Sequence, residues 1–355
     1  MQSERLTAIR ARFQRFARVE APDLDSPMYA ELAEGVAADG ELLELAAHSM
    51  PEQPPPNMLF AAVQYLLLSG LDHPLAGHYP VIAGSESLPG PAFPRFRDFC
   101  LGHRERIVEL VATRRTQTNV VRRCTCLLPA FAQVRGASSL PLALIDMGAS
   151  AGLNLNFDRY AYCYRRDGNE VLRWGPPRAR IRLEAELRGS AGLPRLPAAI
   201  PVASRDGIDI DPVDPANADR MLWLRALIWP EHVERHQQLM DAAAELEANP
   251  IRMHAGDAAE LLPDLVESVP RENALVVYST IAFYQFPRES RRRIADTLAA
   301  AGAARPVWQI AMEGWSPRLS VTRYREGTRE TEMLADVSAH GWWIDWRLEQ
   351  AVPDQ

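Results

Sequence analysis

The stretch LALIDMGASAGLN, residues 142–154, joins an apolar strand to a glycine-bearing turn and a helix-compatible segment. Asp146 comes two positions before Gly148, and Gly152 follows after three small residues. Glycine lets a backbone approach a bound molecule closely, and a helix N-terminus offers free N–H groups. Because α/β proteins hold dinucleotide and nucleoside cofactors at such junctions, the stretch predicts a cofactor-binding α/β sheet.

The same residues allow two other interpretations. Ser150 stands where G-x-G-x-x-G has its middle glycine, so the turn could also be a strand–helix corner that binds nothing. GASAG also fits the G-x-S-x-G elbow of α/β-hydrolases, with Ser150 as nucleophile and His340 as the candidate base. We favour a cofactor, because acidic residues end the next predicted strands and because a nucleophile strand normally follows several others.

The composition is that of a globular protein, with 355 residues of which 47% are hydrophobic and 24% charged. A formal net charge of −7 argues against a nucleic-acid partner. All 39 basic residues are arginine, which excludes a P-loop lysine and lysine-linked pyridoxal chemistry. The first residues, MQSERLTAIRARF, lack the apolar core of a signal peptide, and the apolar run Met58–Leu68 is too short to span a bilayer. We therefore expect a cytoplasmic protein without a membrane partner.

The pattern changes near residue 137. Residues 1–137 are helical in character, whereas residues 138–355 alternate short apolar runs with amphipathic helices, as a mostly parallel sheet does. Period-two patterns between residues 160 and 202 predict a small antiparallel β insertion. The C-terminal stretch TRETEMLADVSAHGWWIDWRLEQ predicts a helix, a glycine at its exit and a final strand.

Two more acidic residues follow predicted strands. In GIDIDP, Asp209 is the better candidate to accept hydrogen bonds from ribose hydroxyls, since Asp211 precedes a proline; turn chemistry is the alternative. In GDA, Asp257 can accept from an adenine amino group or cap the next helix, and both roles are compatible. The order along the chain is thus an acid-glycine turn, a second acid and a third acid.

This order resembles the S-adenosylmethionine-dependent methyltransferase superfamily. The resemblance implies a Rossmann-like (class I methyltransferase-like) sheet that binds S-adenosyl-L-methionine and methylates a small-molecule substrate. It implies that residues on one side of the site, here called the methionine side, contact the methionine part of the cofactor. It also implies that Asp209 contacts the ribose and that Asp257, beside Ala258, contacts the adenine. The residues it assigns to the methionine side are Asp146, Gly148, Ser150 and Gly152, with Asn154 at the following helix start.

A narrower resemblance covers nearly the whole chain. The segments EQPPPNMLFAAVQYLLLSG, TQTNVVRRCTCLLPAF, GASAGLNLNFDRYAY, RDGIDIDPVD and LIWPEHVERHQQL together resemble a bacterial family of uncharacterised proteins. That resemblance implies a shared fold and supplies no activity. A non-catalytic binding protein of the same fold therefore stands beside the methyltransferase and the serine hydrolase as a third hypothesis.

Other polar residues are candidates for the substrate side. Gln117 and Asn119 lie upstream of the first strand, on a helix that we expect to cover the sheet edge, and Tyr284 follows the fourth strand. Amides can bind a substrate and a phenol can exchange a proton with it, while capping, solvation and packing are the alternatives. His232 and His236 have helical spacing without the H-E-x-x-H pattern, and we predict no metal site.

Overall fold

The chain, seen in a computed structural model, folds as two compact units. The structure describes residues 2–314 and 316–347. The first unit, called the helical unit, comprises residues 1–118 and 216–237. The second, called the sheet unit, comprises residues 119–215 and 238–355.

This division differs from the boundary predicted near residue 137. The helix at residues 124–137 packs against strands of the sheet and so belongs to the sheet unit. The segment 216–237 joins the helical unit, because the indole rings of Trp223 and Trp229 lie in its core. Packing rather than chain order decides both assignments.

Thirteen α-helices occur in the described residues. In chain order they are α1 (Gln2–Arg15), α2 (Ala21–Asp23), α3 (Pro27–Ala38), α4 (Gly40–Ala46), α5 (Pro55–Leu68), α6 (Pro80–Ala83), α7 (Phe93–Gly102), α8 (Arg104–Thr113), α9 (Cys124–Ala137), α10 (Ala218–Ala226), α11 (Val233–Ala248), α12 (Ala258–Ser268) and α13 (Arg288–Ala304). None of them is both long and apolar enough to cross a bilayer.

Helix α5 forms the centre of the helical unit. It begins with two prolines, which suit the first helical positions, and most of its side chains are buried, as its sequence predicts. The Phe60 ring centroid lies 4.5 Å from that of Tyr29 and 5.5 Å from that of Phe16. The buried Gln64 side chain donates to the carbonyl of Ala226 at 3.0 Å, which joins α5 to α10.

The stretch at residues 71–95, rich in proline, glycine and histidine, predicts a long loop but contains short helical turns. A 3₁₀ turn at Pro74–His78, helix α6 and a second 3₁₀ turn at Gly84–Glu86 occupy it. The His73 ring accepts from the Leu75 N–H at 3.1 Å and caps the first turn. Proline at the start of a turn and a side-chain cap let such short helices form.

The sheet unit contains an eleven-stranded sheet among its described residues. In chain order the strands are β1 (Leu142–Met147), β2 (Ala161–Arg166), β3 (Asn169–Trp174), β4 (Arg182–Arg188), β5 (Val202–Asp209), β6 (Arg252–Ala255), β7 (Ala274–Thr280), β8 (Val307–Glu313), β9 (Arg318–Arg325), β10 (Thr328–Val337) and β11 (Trp343–Trp346). Their order across the sheet is β3-β2-β4-β11-β10-β9-β8-β7-β1-β5-β6.

The strands β6, β5, β1, β7 and β8 form a parallel centre in that order. From β1 the chain passes through β5 to β6 on one side, and then returns to β7 and β8 on the other. The order therefore reverses between β1 and β7, and open α/β sheets bind ligands at the carboxyl ends of the strands at such a point. The mostly parallel α/β sheet predicted from the sequence is confirmed at this level.

Side chains alternate between the two faces of the parallel centre. Asp146 of β1 is in register with Tyr278 of β7, so these two side chains share a face. Ile145 and Val277 lie on the opposite face, in a buried cluster with residues of α12 and α13. The acid of β1 thus lies on the face away from those two helices.

Two local predictions need correction. The insertion near residues 160–202 is not wholly antiparallel, since β2 pairs antiparallel with β3 but parallel with β4. The predicted C-terminal helix is wrong: residues 328–337 form strand β10, which pairs antiparallel with β9. The mostly exposed residues at the start of β10 carry little pattern of their own, and the neighbouring strand supplies the hydrogen bonds that decide their structure.

Candidate functional site

The carboxyl edge of the parallel centre brings three predicted acidic residues to one side of the sheet. Asp146 lies near the end of β1, Asp209 ends β5, and Asp257 follows β6. The turn after β1 is bound to the end of β5, because the N–H groups of Gly148 and Ala149 both donate to the carbonyl of Ile208, at 2.8 and 3.1 Å. The ends of β1 and β5 are thus joined at this edge.

The glycine turn has few N–H groups left for a ligand. Besides the two bonds to Ile208, the Ser150 N–H donates to the Asp209 carboxylate at 2.8 Å, and the Gly152 N–H donates to the Ala149 carbonyl at 2.7 Å. The turn is thus closed by its own hydrogen bonds. It does not form the cradle of free N–H groups that a phosphate requires.

The helix expected after the turn is a 3₁₀ segment, Leu153–Arg159, of 7 residues. Its first N–H, that of Leu153, donates to the Asn119 side chain at 3.1 Å. Its Leu153 carbonyl accepts from the Tyr160 hydroxyl at 2.5 Å. Asn154 is buried, and its side-chain oxygen accepts from the Cys124 thiol at 3.5 Å. These bonds fix the segment in place of a long helix.

Asn119 therefore acts as a cap in this structure. It and Gln117 lie in the irregular segment before α9, and not on a helix as predicted. Asn119 belongs to the sheet unit and Gln117 to the helical unit.

Two glycines of the turn are required by their surroundings. Gly148 and Gly152 both have positive φ, 81° and 76°, which side chains rarely tolerate. A Cβ on Gly148 would lie 2.5 Å from the Cβ of Ala282, and one on Gly152 would clash with Ile251. The close approach that glycine permits is thus made to other parts of the sheet unit.

Asp146 is the most perturbed acid of the edge. Its side chain is buried, and its Oδ1 atom has no hydrogen-bond partner. Burial raises the pKa of Asp146 to about 8, the nearby Tyr278 hydroxyl opposes this, and the charge of Asp209 adds to it. The carboxyl group is therefore largely protonated at neutral pH.

Asp209 and Asp257 are partly exposed and hold the edge together. Asp209 accepts from the N–H of Ser150 through Oδ2 and from that of Asp211 through Oδ1, at 2.8 and 3.0 Å. Asp257 accepts from the Ala259 N–H at 2.8 Å, which makes it the cap of α12, and from the Ser290 hydroxyl at 3.2 Å. A carboxylate has about four acceptor positions, so the Asp257 side chain can take further donors. Ala258 is buried as the first residue of α12.

Glu313, which ends β8, holds the loop after β7 and was not singled out from the sequence. The Glu313 Oε1 atom accepts from the Ser279 hydroxyl at 2.9 Å and from the N–H groups of Ala282 and Phe283 at 3.2 and 3.1 Å, while its Oε2 is buried without a partner. Tyr284 lies in this loop and is 56% exposed. Glu313 ends the apolar run VWQIAME, and an acid at the end of such a run was the same signal that identified Asp146.

Arg123 was also missed, and it lies at the same edge. Its Nη1 donates to the carbonyl of Thr280 at 3.0 Å, and its Nε to that of Ala339 at 2.9 Å. Burial lowers the pKa of Arg123 to about 10, and the charge of Glu313 acts in the opposite direction. A buried arginine within an apolar segment has no distinctive sequence pattern.

The serine-hydrolase geometry is not assembled in this structure. Ser150 has a φ of 55°, as a strained turn residue can, but its hydroxyl is buried. No hydrogen bond joins that hydroxyl to His340 or to any other described residue. A serine nucleophile needs a base within hydrogen-bond reach.

The remaining polar candidates have structural partners. The rings of His232 and His236 contact the backbone carbonyls of Leu24 and Trp229, at 2.7 and 3.2 Å, and no group of potential metal ligands occurs in the described part of the chain. Asp158, which is not one of these candidates, accepts from Nη2 of Arg205 through both carboxylate oxygens, at 2.7 and 2.6 Å.

Comparison with known proteins places the chain in a family without naming an activity. No curated protein and no solved structure matches it. A family model described as "Uncharacterized protein conserved in bacteria (DUF2332)" matches residues 10–346, which is nearly the full length. The chain therefore belongs to this uncharacterised bacterial family.

Proposed function

We propose that this protein is an S-adenosyl-L-methionine-dependent methyltransferase that acts on a small molecule. The observation that carries the proposal is the arrangement at the carboxyl edge. Three carboxyl groups, of Asp146, Asp209 and Asp257, lie at the carboxyl ends of three neighbouring parallel strands, and the strand order reverses beside the first strand. Rossmann-like methyltransferases hold a nucleoside cofactor with acidic residues in this order, and ligands of open α/β sheets bind at the reversal.

The hydrogen-bonding groups available at this edge favour a nucleoside cofactor over a dinucleotide. A dinucleotide brings a pyrophosphate, which needs free N–H groups at a helix N-terminus. Here the turn N–H groups of Gly148, Ala149, Ser150 and Gly152 are already bonded, and a short 3₁₀ segment replaces the helix. S-adenosyl-L-methionine has no phosphate, and its ribose and adenine offer donors that partly exposed carboxylates can accept. The residues present therefore fit this cofactor.

In this proposal Asp209, Asp257 and the glycine turn each contact a different part of the cofactor. Asp209 accepts from the ribose hydroxyls, and Asp257 accepts from the adenine amino group. The turn from Gly148 to Gly152 lies against the methionine part of the cofactor. The bound cofactor supplies an activated methyl group, and the protein contributes by holding the acceptor in line with it, which alone can account for several kcal/mol of barrier lowering.

The acceptor would enter beside β7. Tyr284 is exposed there, and Glu313 and the buried Arg123 offer a carboxylate and a guanidinium at the same edge. A negatively charged group beside a positively charged one suits a small polar methyl acceptor. The formal net charge of −7 does not favour a nucleic-acid substrate, and we place the activity in the cytoplasm as part of the proposal.

A binding titration tests the proposal. We expect S-adenosylhomocysteine to bind the purified protein, with heat or fluorescence as the readout, and Asp209→Asn to weaken binding about tenfold, the loss expected for a hydrogen bond to a charged group. Asp264→Asn is the matched control, because Asp264 is exposed on α12. Absence of binding at millimolar ligand to a folded protein would refute the proposal.

A further inference from the structure

The two loops that flank the reversal of strand order touch each other. The turn after β1 presents Gly148, and the loop after β7 presents Ala282, whose Cβ lies 2.5 Å from where a Gly148 Cβ would be. Ala282 therefore covers the glycine that a ligand at this edge would approach. A molecule can reach Gly148 from that side only if the loop after β7 moves.

Glu313 holds this loop in place. Its Oε1 atom accepts from two successive N–H groups of the loop, those of Ala282 and Phe283, and the Ser279 hydroxyl bonds the same oxygen. Hydrogen bonds to an ionised acceptor are about twice as strong as neutral ones. One side chain at the end of β8 thus fixes the backbone that follows β7.

The loop is also strained where it leaves β7. Ile281 has a φ of 52°, and a β-branched residue in this region is a true outlier. Its N–H donates to the Met312 carbonyl at 2.8 Å, so the strained residue is tied to β8. Strain of about 1–3 kcal/mol persists only where neighbouring bonds enforce it. The strain therefore favours release of the loop as soon as the Glu313 bonds break.

We propose that Glu313 is a positioning residue that keeps the loop at residues 281–286 closed over Gly148, and that a ligand binding at the strand reversal displaces this loop. The identity of that ligand rests on the proposed function; the closed loop itself does not. The protein then exists in a closed form and an open form, and the apparent dissociation constant of the ligand depends on the fraction that is open.

Amide hydrogen exchange of the full chain, resolved to single residues, tests the closed loop without a cofactor. We expect Glu313→Gln to increase exchange at the amide of Ile281 about tenfold, because weaker bonds from Glu313 raise the open fraction. The Ile281 amide is the decisive readout, since its acceptor is the Met312 carbonyl and mere loss of the Glu313 acceptor would leave it unchanged. Ile281→Asn should slow exchange, because asparagine tolerates positive φ better than isoleucine.

The control is Glu330→Gln, the same chemical change at an exposed position of β10. Unchanged exchange at Ile281 in Glu313→Gln would overturn the proposal. An equal increase throughout β8 and β9 would also overturn it, because Glu313 would then stabilise the whole sheet edge.

Titration with S-adenosylhomocysteine tests separately whether a ligand displaces the loop. If it binds the wild-type protein, Glu313→Gln should bind it more tightly by the factor seen in exchange, and equal affinities would overturn the displacement of the loop. If it binds neither protein, the proposed cofactor is wrong, while the exchange result still decides whether Glu313 holds the loop closed.

Discussion

The helical unit and the sheet unit each bury a titratable side chain that folding keeps neutral, but with opposite consequences. In the helical unit, burial lowers the pKa of His236 to about 3. In the sheet unit, burial raises the pKa of Asp146 to about 8. Desolvation is the main cause in both, because it disfavours the charged form of a base and of an acid alike. Acid should therefore weaken the helical unit, and alkali the sheet unit.

The greatest loss of stability is expected from a substitution in the core of the helical unit. Phe60 contacts several aromatic rings there, and we expect Phe60→Ala to lower the free energy of unfolding by about 3–5 kcal/mol, the usual cost of an aromatic-to-alanine cavity. Urea unfolding followed by tryptophan fluorescence measures this loss. Val171→Ala, at an exposed site on β3, should change the value by less than about 0.5 kcal/mol. Similar losses in both variants would contradict an aromatic core centred on Phe60.

Asp146→Asn tests the alkaline side of the comparison. The folded pKa of about 8 lies above the unfolded value of about 3.9, so the folded protein holds a proton that the unfolded chain releases between these pH values. Stability should therefore fall as pH rises through this window, by up to about 1.4 kcal/mol per pH unit. Asparagine has nearly the same shape and cannot ionise.

We accordingly expect unfolding curves of Asp146→Asn between about pH 6.5 and 8, above the range in which His236 contributes, to lack most of the wild-type slope. Asp264→Asn, at an exposed acid of the same unit, should keep that slope. A wild-type protein whose stability rises with pH over this range would show that Asp146 is ionised in the folded state.

His236→Gln tests the acid side. The unfolded pKa of histidine is about 6.5, above the folded value of about 3, so the unfolded chain binds a proton that the folded helical unit excludes. This difference alone makes stability fall as pH drops below about 6.5, by up to about 1.4 kcal/mol per pH unit, and it opposes the contribution of Asp146 over the same pH values. Glutamine removes the titration and can still donate to the Trp229 carbonyl.

Between pH 4 and about 6.5, the free energy of unfolding of His236→Gln relative to that of the wild type should therefore rise as pH falls. His48→Gln, an exposed histidine in the same unit, serves as the control. If both substitutions leave the acid slope as it is in the wild type, other groups cause it.

The sequence predicted the parallel centre well because buried parallel strands are continuous apolar runs. LALIDM, ALVVYST and VWQIAME became β1, β7 and β8 with only small changes at their ends. It failed at β10, whose polar first half is decided by pairing with β9, and at the 3₁₀ segment after Gly152, which side chains from elsewhere in the chain fix. Both failures occur where residues outside the segment supply the hydrogen bonds.

The candidate site divides in the same way. The edge acids were visible as residues that end apolar runs, whereas the clamp of Glu313 on Ala282 and Phe283 depends on the end of β8 lying beside the loop after β7. Asn119 was singled out for a substrate role and proved to cap Leu153. A side chain's partner follows from the fold, and residue type alone does not reveal it.

The smallest effect concerns the bonds that fix the 3₁₀ segment of the sheet unit. The buried Tyr160 hydroxyl donates to the Leu153 carbonyl, so Tyr160→Phe removes one bond and leaves a carbonyl without that donor. We expect a loss of about 1–2 kcal/mol in the free energy of unfolding, with both pH slopes unchanged because no titration is removed near neutral pH. Tyr284→Phe, at an exposed position of the same unit, should change it by less than about 0.5 kcal/mol. Equal values for the two variants would mean that the Tyr160 bond does not hold the segment, and that the other bonds to Leu153 and Asn154 suffice in place of a long helix.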